Sequence, residues 1–99
     1  MRVSALVDDL MDRSRITAAV PAAAFARDPA AVAASDVVIV DLARHSGDVV
    51  ALRAAAPDAL IVAFGPHVDE ASFATAQRDG ADRILARSQF FHDVRTAIA

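Results

Sequence analysis

Three carboxylates, Asp8, Asp9 and Asp41, are the residues of this 99-residue chain best placed to do chemistry. Asp8 and Asp9 directly follow the apolar segment 3–7, and Asp41 follows Val37-Val38-Ile39-Val40. Four β-branched residues without a polar interruption read as a strand buried on both faces, the pattern of a central strand in a parallel sheet. Open α/β sheets bind ligands outside the carboxyl ends of their strands. In that setting the three carboxylates converge and repel one another. Binding a hard cation, Mg²⁺ being the natural one, through one or two of them and waters relieves the repulsion. The structural alternative is that Asp8 or Asp9 caps the helix that follows and Asp41 opens a turn.

Cations stand near the same sheet end. Arg13 and Arg15 fall in the first predicted helix, where residues two apart diverge by ~200° and do not grip one ligand together. Either could lean over the carboxylates and neutralise them from within; otherwise they form an exposed or carboxylate-paired helix face. His67 falls in the turn after the fourth strand. A lone turn histidine is usually solvated; it could modulate the cluster, but without a partner it makes no metal site. A small-anion or nucleotide sensor built from Arg13 or Arg15 with Arg87 is a further reading. No glycine-rich phosphate loop supports it, because Gly47, Gly65 and Gly80 are isolated and fit turns and caps.

The elements that must position these groups alternate regularly. A strand over 3–7 leads to a helix whose apolar face carries Leu10, Met11, Ile16 and Val20, bounded by Pro21. Segment 21–26 is ambiguous, with only Phe25 favouring a strand. Asp28-Pro29 starts a short helix over 29–34. After the strand ending at Asp41, residues 44–48 read as a loop, and a helix over 49–56 ends at Pro57. A strand over 59–64 is broken by Gly65-Pro66. Asp69 caps a helix that closes at Gly80. A short strand over 83–86 precedes a terminal helix over 90–98, opened by Ser88 or Gln89. This β-α alternation calls for a parallel sheet with helices on both faces in a single domain spanning 1–99.

Composition narrows the function classes. A formal charge of −3 argues against a nucleic-acid footprint. All ten basic residues are Arg, and there is no Cys, so no disulfide, thiolate or Cys–metal site is possible. No apolar run approaches the ~20 residues of a membrane span, and no secretory signal is visible. A cytoplasmic, non-membrane protein is expected.

Four segments together resemble the receiver domain of bacterial two-component response regulators, the CheY-like group. Val7-Asp8-Asp9 is similar to its first strand end with an acidic pair, and Val40-Asp41-Leu42 to its third strand with the phospho-accepting Asp. Residues 57–64 resemble the approach to its fourth strand. Gly80 to Phe90 resemble its Gly-Ala-Asp-x-x-Leu-x-Lys-Pro-Phe segment. Arg13 to Ile16 and Gly65 to Asp69 also resemble elements of a group of stand-alone receiver-like proteins. The resemblance implies a flavodoxin-like three-layer sandwich with five parallel strands in the order 2-1-3-4-5. It implies Asp41 as phospho-acceptor candidate, Mg²⁺ held by Asp8, Asp9 and Asp41, and phosphate contacts at Arg87 and Ser88.

Two departures bear on that chemistry. Gly65 stands where the family places a Ser or Thr hydroxyl, and Arg87-Ser88 replace its Lys-Pro; a planar guanidinium does not sit where an ammonium does. The expectation is therefore an atypical, stand-alone receiver-like module that is not an enzyme and requires no cofactor. It would act through a protein partner or as a homodimer, without regular Asp phosphorylation. A true Mg²⁺-dependent phospho-acceptor switch is the alternative. Arg87 is expected to pair with Asp41 and block its nucleophilic use. Phe90 and Phe91, ~100° apart on a helix, are expected to leave one ring exposed for association through the fourth helix, fifth strand and fifth helix.

Overall fold

The structure, a computed structural model, describes residues 1–66 and 69–99. Five strands, β1 (Val3–Leu6), β2 (Ala24–Phe25), β3 (Val37–Asp41), β4 (Leu60–Gly65) and β5 (Arg83–Ala86), form one parallel sheet in the order β2-β1-β3-β4-β5. This is the expected order, with the Val37–Val40 run at its centre. The run alternates between two apolar layers. Val38 and Val40 pack with Leu6, Leu42, Val49, Leu52 and Ile61 on one face. Val37 and Ile39 pack with Val7, Ile16, Val62, Phe64, Phe90 and Val94 on the other. A strand covered on both faces has no solvent side, so every position of β3 is apolar until Asp41.

The helices are α1 (Leu10–Ala19), α2 (Leu42–His45), α3 (Val49–Ala55), α4 (Glu70–Asp79), α5 (Arg87–His92) and α6 (Val94–Ala97). Asp9 caps α1 by accepting from the Asp12 amide at 3.0 Å, and Asp69 caps α4 by accepting from Ser72 N at 3.1 Å. Asp28 caps a 3₁₀ turn, Pro29–Val32, shorter than the helix expected over 29–34. Among the described residues no helix is long and apolar enough to cross a membrane.

Three sequence expectations are corrected. Residues 44–48 are not a loop: α2 runs straight out of β3 and continues as a 3₁₀ turn, Ser46–Asp48, into α3. The terminal helix is two short helices, because Asp93 interrupts it and caps α6 through Thr96 N. The apolar face of α1 differs as well. A helix that starts at Asp9 turns Leu10 (77% exposed) and Met11 (71% exposed) to solvent, while Asp12 and Ile16 face inward.

At the amino end of the sheet one side chain joins several elements. Arg53 of α3 donates to the carbonyls of Ala59 (2.8 Å), Pro57 (3.1 Å) and Gly80 (2.8 Å from Nη2), and pairs with Asp82 at 2.6 Å. Asp82 in turn accepts from Ile61 N at 2.8 Å. Gly80, at φ 120°, is required twice: its conformation suits only glycine, and a Cβ there would lie 3.0 Å from Arg53 Cβ.

Candidate functional site at the carboxyl end of the sheet

Register sets the site. Leu6 pairs with Val40, Asp41 with Phe64, and Gly65 with Ala86, so β1, β3, β4 and β5 all end at one level. Asp8, Asp9, Asp41 and Arg87 therefore leave the sheet on the same side. Each is then held by its own neighbours.

Asp41 is 6% exposed, and its Oδ1 accepts from Ala43 N at 3.0 Å, capping α2. Burial pushes its carboxyl above the ordinary 3.8, against the pull of the Ala43 amide; the Asp12 charge pushes the same way as burial and Arg87 opposes. Asp9 caps α1. Asp8 is bound by His45: the ring meets Asp8 Oδ1 through Nε2 at 3.1 Å and Asp48 Oδ2 through Nδ1 at 2.8 Å. Carboxylates only accept, so a ring bonded to two of them donates from both nitrogens and is cationic. Burial works against that charge, but the bonds from Asp48 and Asp8 outweigh it, and His45 titrates above its ordinary 6.5. The His45 bond holds Asp8 below 3.8.

Arg87 does not contact Asp41 as expected. Its Nη1 donates to Asp12 Oδ2 at 2.7 Å, and its Nη2 donates to Asp12 Oδ1, a bidentate pair. The Asp12 side chain is only 3% exposed, and the Arg87 side chain is 46% exposed. The reason is physical. A buried carboxylate without a cation is costly, and Asp41 already has an amide donor, so Asp12 has the stronger claim. The pair raises Arg87 above its ordinary value, so its charge is permanent. Its guanidinium also lies 4.9 Å from the Phe91 ring centre and 5.9 Å from that of Phe64.

The remaining cations do not converge. Arg13 Nε donates to Val7 O at 2.6 Å and its guanidinium lies over Phe25 at 5.1 Å. Arg15 lies over Phe91 at 5.4 Å. Arg13 shares a cleft with Asp8, and its charge helps hold that carboxyl low, but among the described residues neither arginine pairs with a carboxylate or joins Arg87 as an anion clamp. Ser88 is exposed on the first turn of α5, and His67 lies outside the described residues. Among the described residues no group of three or more His, Asp or Glu side chains is arranged to hold a metal ion. Asp8, Asp9 and Asp41 lie at the same end of the sheet, and each is held by its own neighbour: Asp8 by His45, Asp9 by the Asp12 amide and Asp41 by the Ala43 amide.

At Gly65 a Cβ would lie 3.3 Å from Phe73 Cε1, which would have to give by a few tenths of an ångström, and in ordinary contact with Leu42 Cβ at 3.4 Å. Phe90 and Phe91 both face inward, contrary to expectation. Phe64 projects from β4 against both, stacking on Phe90 (4.7 Å, 12°) and meeting Phe91 edge-on (5.1 Å, 75°), while Phe90 and Phe91 also meet edge-on at 5.0 Å. Phe90 is fully buried and Phe91 half-buried against the core. The exposed aromatic anchor expected on the face of α4, β5 and α5 is therefore absent.

The structure is similar to a response regulator from Burkholderia pseudomallei, crystallised with a phosphorylated aspartic acid, a calcium ion and citrate. The TM-score is 0.81 at 19% identity, covering 100% of this chain and 67% of that one. It is also similar to the CheY-like protein TadZ from Pseudomonas aeruginosa, with a TM-score of 0.74 at 18% identity and 98% of each chain covered. The fold is that of a CheY-like receiver. The structure is similar, too, to a putative pilus assembly-related protein from B. pseudomallei, with a TM-score of 0.74 at 12% identity, covering 99% of this chain and 89% of that one. No family model matches the chain, and no curated protein does.

Within this receiver fold two residues of the site escaped the sequence reading. Asp12 had a signal: it stands three residues after the cap Asp9 and four before the buried Ile16, on the inward face. His45 had none, because the segment that carries it read as a loop.

Proposed function

We propose that this chain is a receiver-fold regulatory module that works through protein–protein contacts, with the carboxyl end of its sheet closed by its own residues rather than open to a phosphoryl group. The pairing of Arg87 with Asp12 carries the proposal. A phosphoryl group on Asp41 brings anionic oxygens that need a cation, and Arg87 is the nearest candidate. To serve, Arg87 must leave Asp12 and strand a buried carboxylate. Breaking a buried pair from one side costs about 3–5 kcal/mol, and the half-exposed Arg87 side chain places this case at the lower end. Asp41 is engaged as well, as the cap of α2, so leaving it free also costs a helix cap.

The chain is proposed to be non-catalytic and to need no cofactor. A Mg²⁺-dependent phospho-acceptor role for Asp41 is the second reading, favoured by its place at the end of the central strand. Intact mass after incubation with Mg²⁺ and acetyl phosphate separates the two. The proposal expects an unchanged mass. Gain of one phosphoryl group, abolished by Asp41→Asn, would replace it with the second reading.

A further inference from the structure

We infer that the face formed by the second half of α1 with α5 and α6 is a docking groove for an acidic segment of a protein partner. The inference rests on the protein-contact reading above and names the surface and the partner's chemistry. A groove of about 730 Å³ runs between these helices, lined among others by Arg15, Ser88, Phe91, His92 and Arg95. Ala18 and Ala19 keep its α1 wall low.

The charge of the groove opposes that of the chain. Arg15 and Arg95 are both exposed, and among the described residues neither has a carboxylate partner. The one acid lining the groove, Asp93, is turned to its own helix: Oδ1 accepts from Thr96 N at 3.1 Å and Oδ2 from Thr96 Oγ1 at 2.7 Å. Those bonds hold it below the usual carboxylate range. The chain as a whole carries −3. An acidic segment is thus repelled by most of the surface and attracted here, which fixes where and how it docks.

Preorganisation adds to this. Arg15 rests on the Phe91 ring, which is itself pinned against Phe64 and Phe90. A guanidinium already stacked loses less freedom on pairing with a carboxylate and presents its fork for bidentate contact. An apolar partner gains little from two alanines and one half-buried ring. A nucleic acid would find few cations on a chain of net negative charge.

The test is fluorescence anisotropy of a labelled Asp/Glu-rich peptide titrated with the full chain at low salt. The wild type is expected to bind it, more weakly as salt rises. Arg15→Glu with Arg95→Glu, both at exposed positions, is expected to weaken binding at least ~10-fold while circular dichroism stays unchanged. The same double variant is expected to bind a Lys-rich peptide that the wild type does not. Arg78→Glu, on the exposed side of α4, is expected to bind the acidic peptide like the wild type.

The inference is overturned by absence of binding, by equal binding of the double variant, or by an equal loss in Arg78→Glu. Tighter binding of single-stranded DNA, or self-association through this face in sedimentation, overturns it too. These failures are separate from that of the protein-contact reading, which only the phosphodonor mass measurement removes.

Discussion

Removing the two partners of the Arg87–Asp12 pair should have unequal effects, because their burial is unequal. In Arg87→Met the Asp12 carboxylate, 3% exposed, is left with no cation, and the guanidinium contact with Phe91 is lost. Stranding a buried charge costs about 3–5 kcal/mol, and water reaching the site through the vacated, half-exposed Arg87 position lowers this to about 3 kcal/mol. Asp12→Asn keeps the side-chain shape and one acceptor oxygen, and the Arg87 side chain, 46% exposed, remains solvated. Its cost should be about 1 kcal/mol. In the double variant no charge is stranded, so the total should be about 2 kcal/mol, well under the sum of the singles, giving a coupling of about 2 kcal/mol. Urea denaturation of the four proteins at neutral pH measures all three terms, against a domain stability of about 5–15 kcal/mol. Additive costs, or a smaller loss in Arg87→Met than in Asp12→Asn, would refute the closed-site account.

Three other outcomes follow from the same geometry. His45, raised above 6.5, contributes stability that is fully present below that value and lost as pH climbs through its folded value. Asp8, lowered from 3.8, contributes stability present above 3.8 and lost as pH falls through its folded value. The difference in melting temperature between wild type and His45→Gln should therefore be largest near about pH 5 and shrink by about pH 8; a pH-independent difference would contradict the ion triad. Asp41, raised by burial, disfavours the fold as pH rises through its folded value, while Asn keeps the oxygen that caps Ala43. Asp41→Asn should thus be as stable as wild type or more so at neutral pH in thermal melts, with no advantage in acid. Arg53→Met should lose about 3 kcal/mol in urea, because the carbonyls of Ala56, Pro57, Ala59 and Gly80 and the Asp82 carboxylate lose a charged donor together; a neutral variant would show that cluster to be incidental.

The sheet was legible because four of its strands obey one rule, and only the two-residue β2 was ambiguous in sequence. An apolar run bounded by turn formers, repeated between helical segments, admits few parallel topologies, and the structure has the expected one. The acid end was only partly legible. Hydrophobicity drew Leu10 and Met11 into the core of α1, yet the cap at Asp9 fixes the helix phase and turns Asp12 inward instead. Residues 44–48 read as a loop, but α2 carries His45 over Asp8, and the 3₁₀ turn that continues it brings Asp48 to the other ring nitrogen. Phe90 and Phe91 leave α5 in different directions, but both rings pack on Phe64 of β4 and on each other, and neither α5 nor its sequence reports the contact with β4. The reach of Arg87 to Asp12, 75 residues away in sequence, depends on how β5 meets α1. Local pattern does not encode that distance.

The closed carboxyl end is tested most directly by two-dimensional amide NMR of the chain titrated with Mg²⁺ and beryllofluoride, a phosphoryl mimic. If Arg87 stays on Asp12 and Asp41 stays on Ala43, the amide signals of Asp41, Ala43, Gly65 and Arg87 remain in place through the titration. Saturable shifts of those same signals, lost in Asp41→Asn, would show a site open to a phosphoryl group and contradict the account.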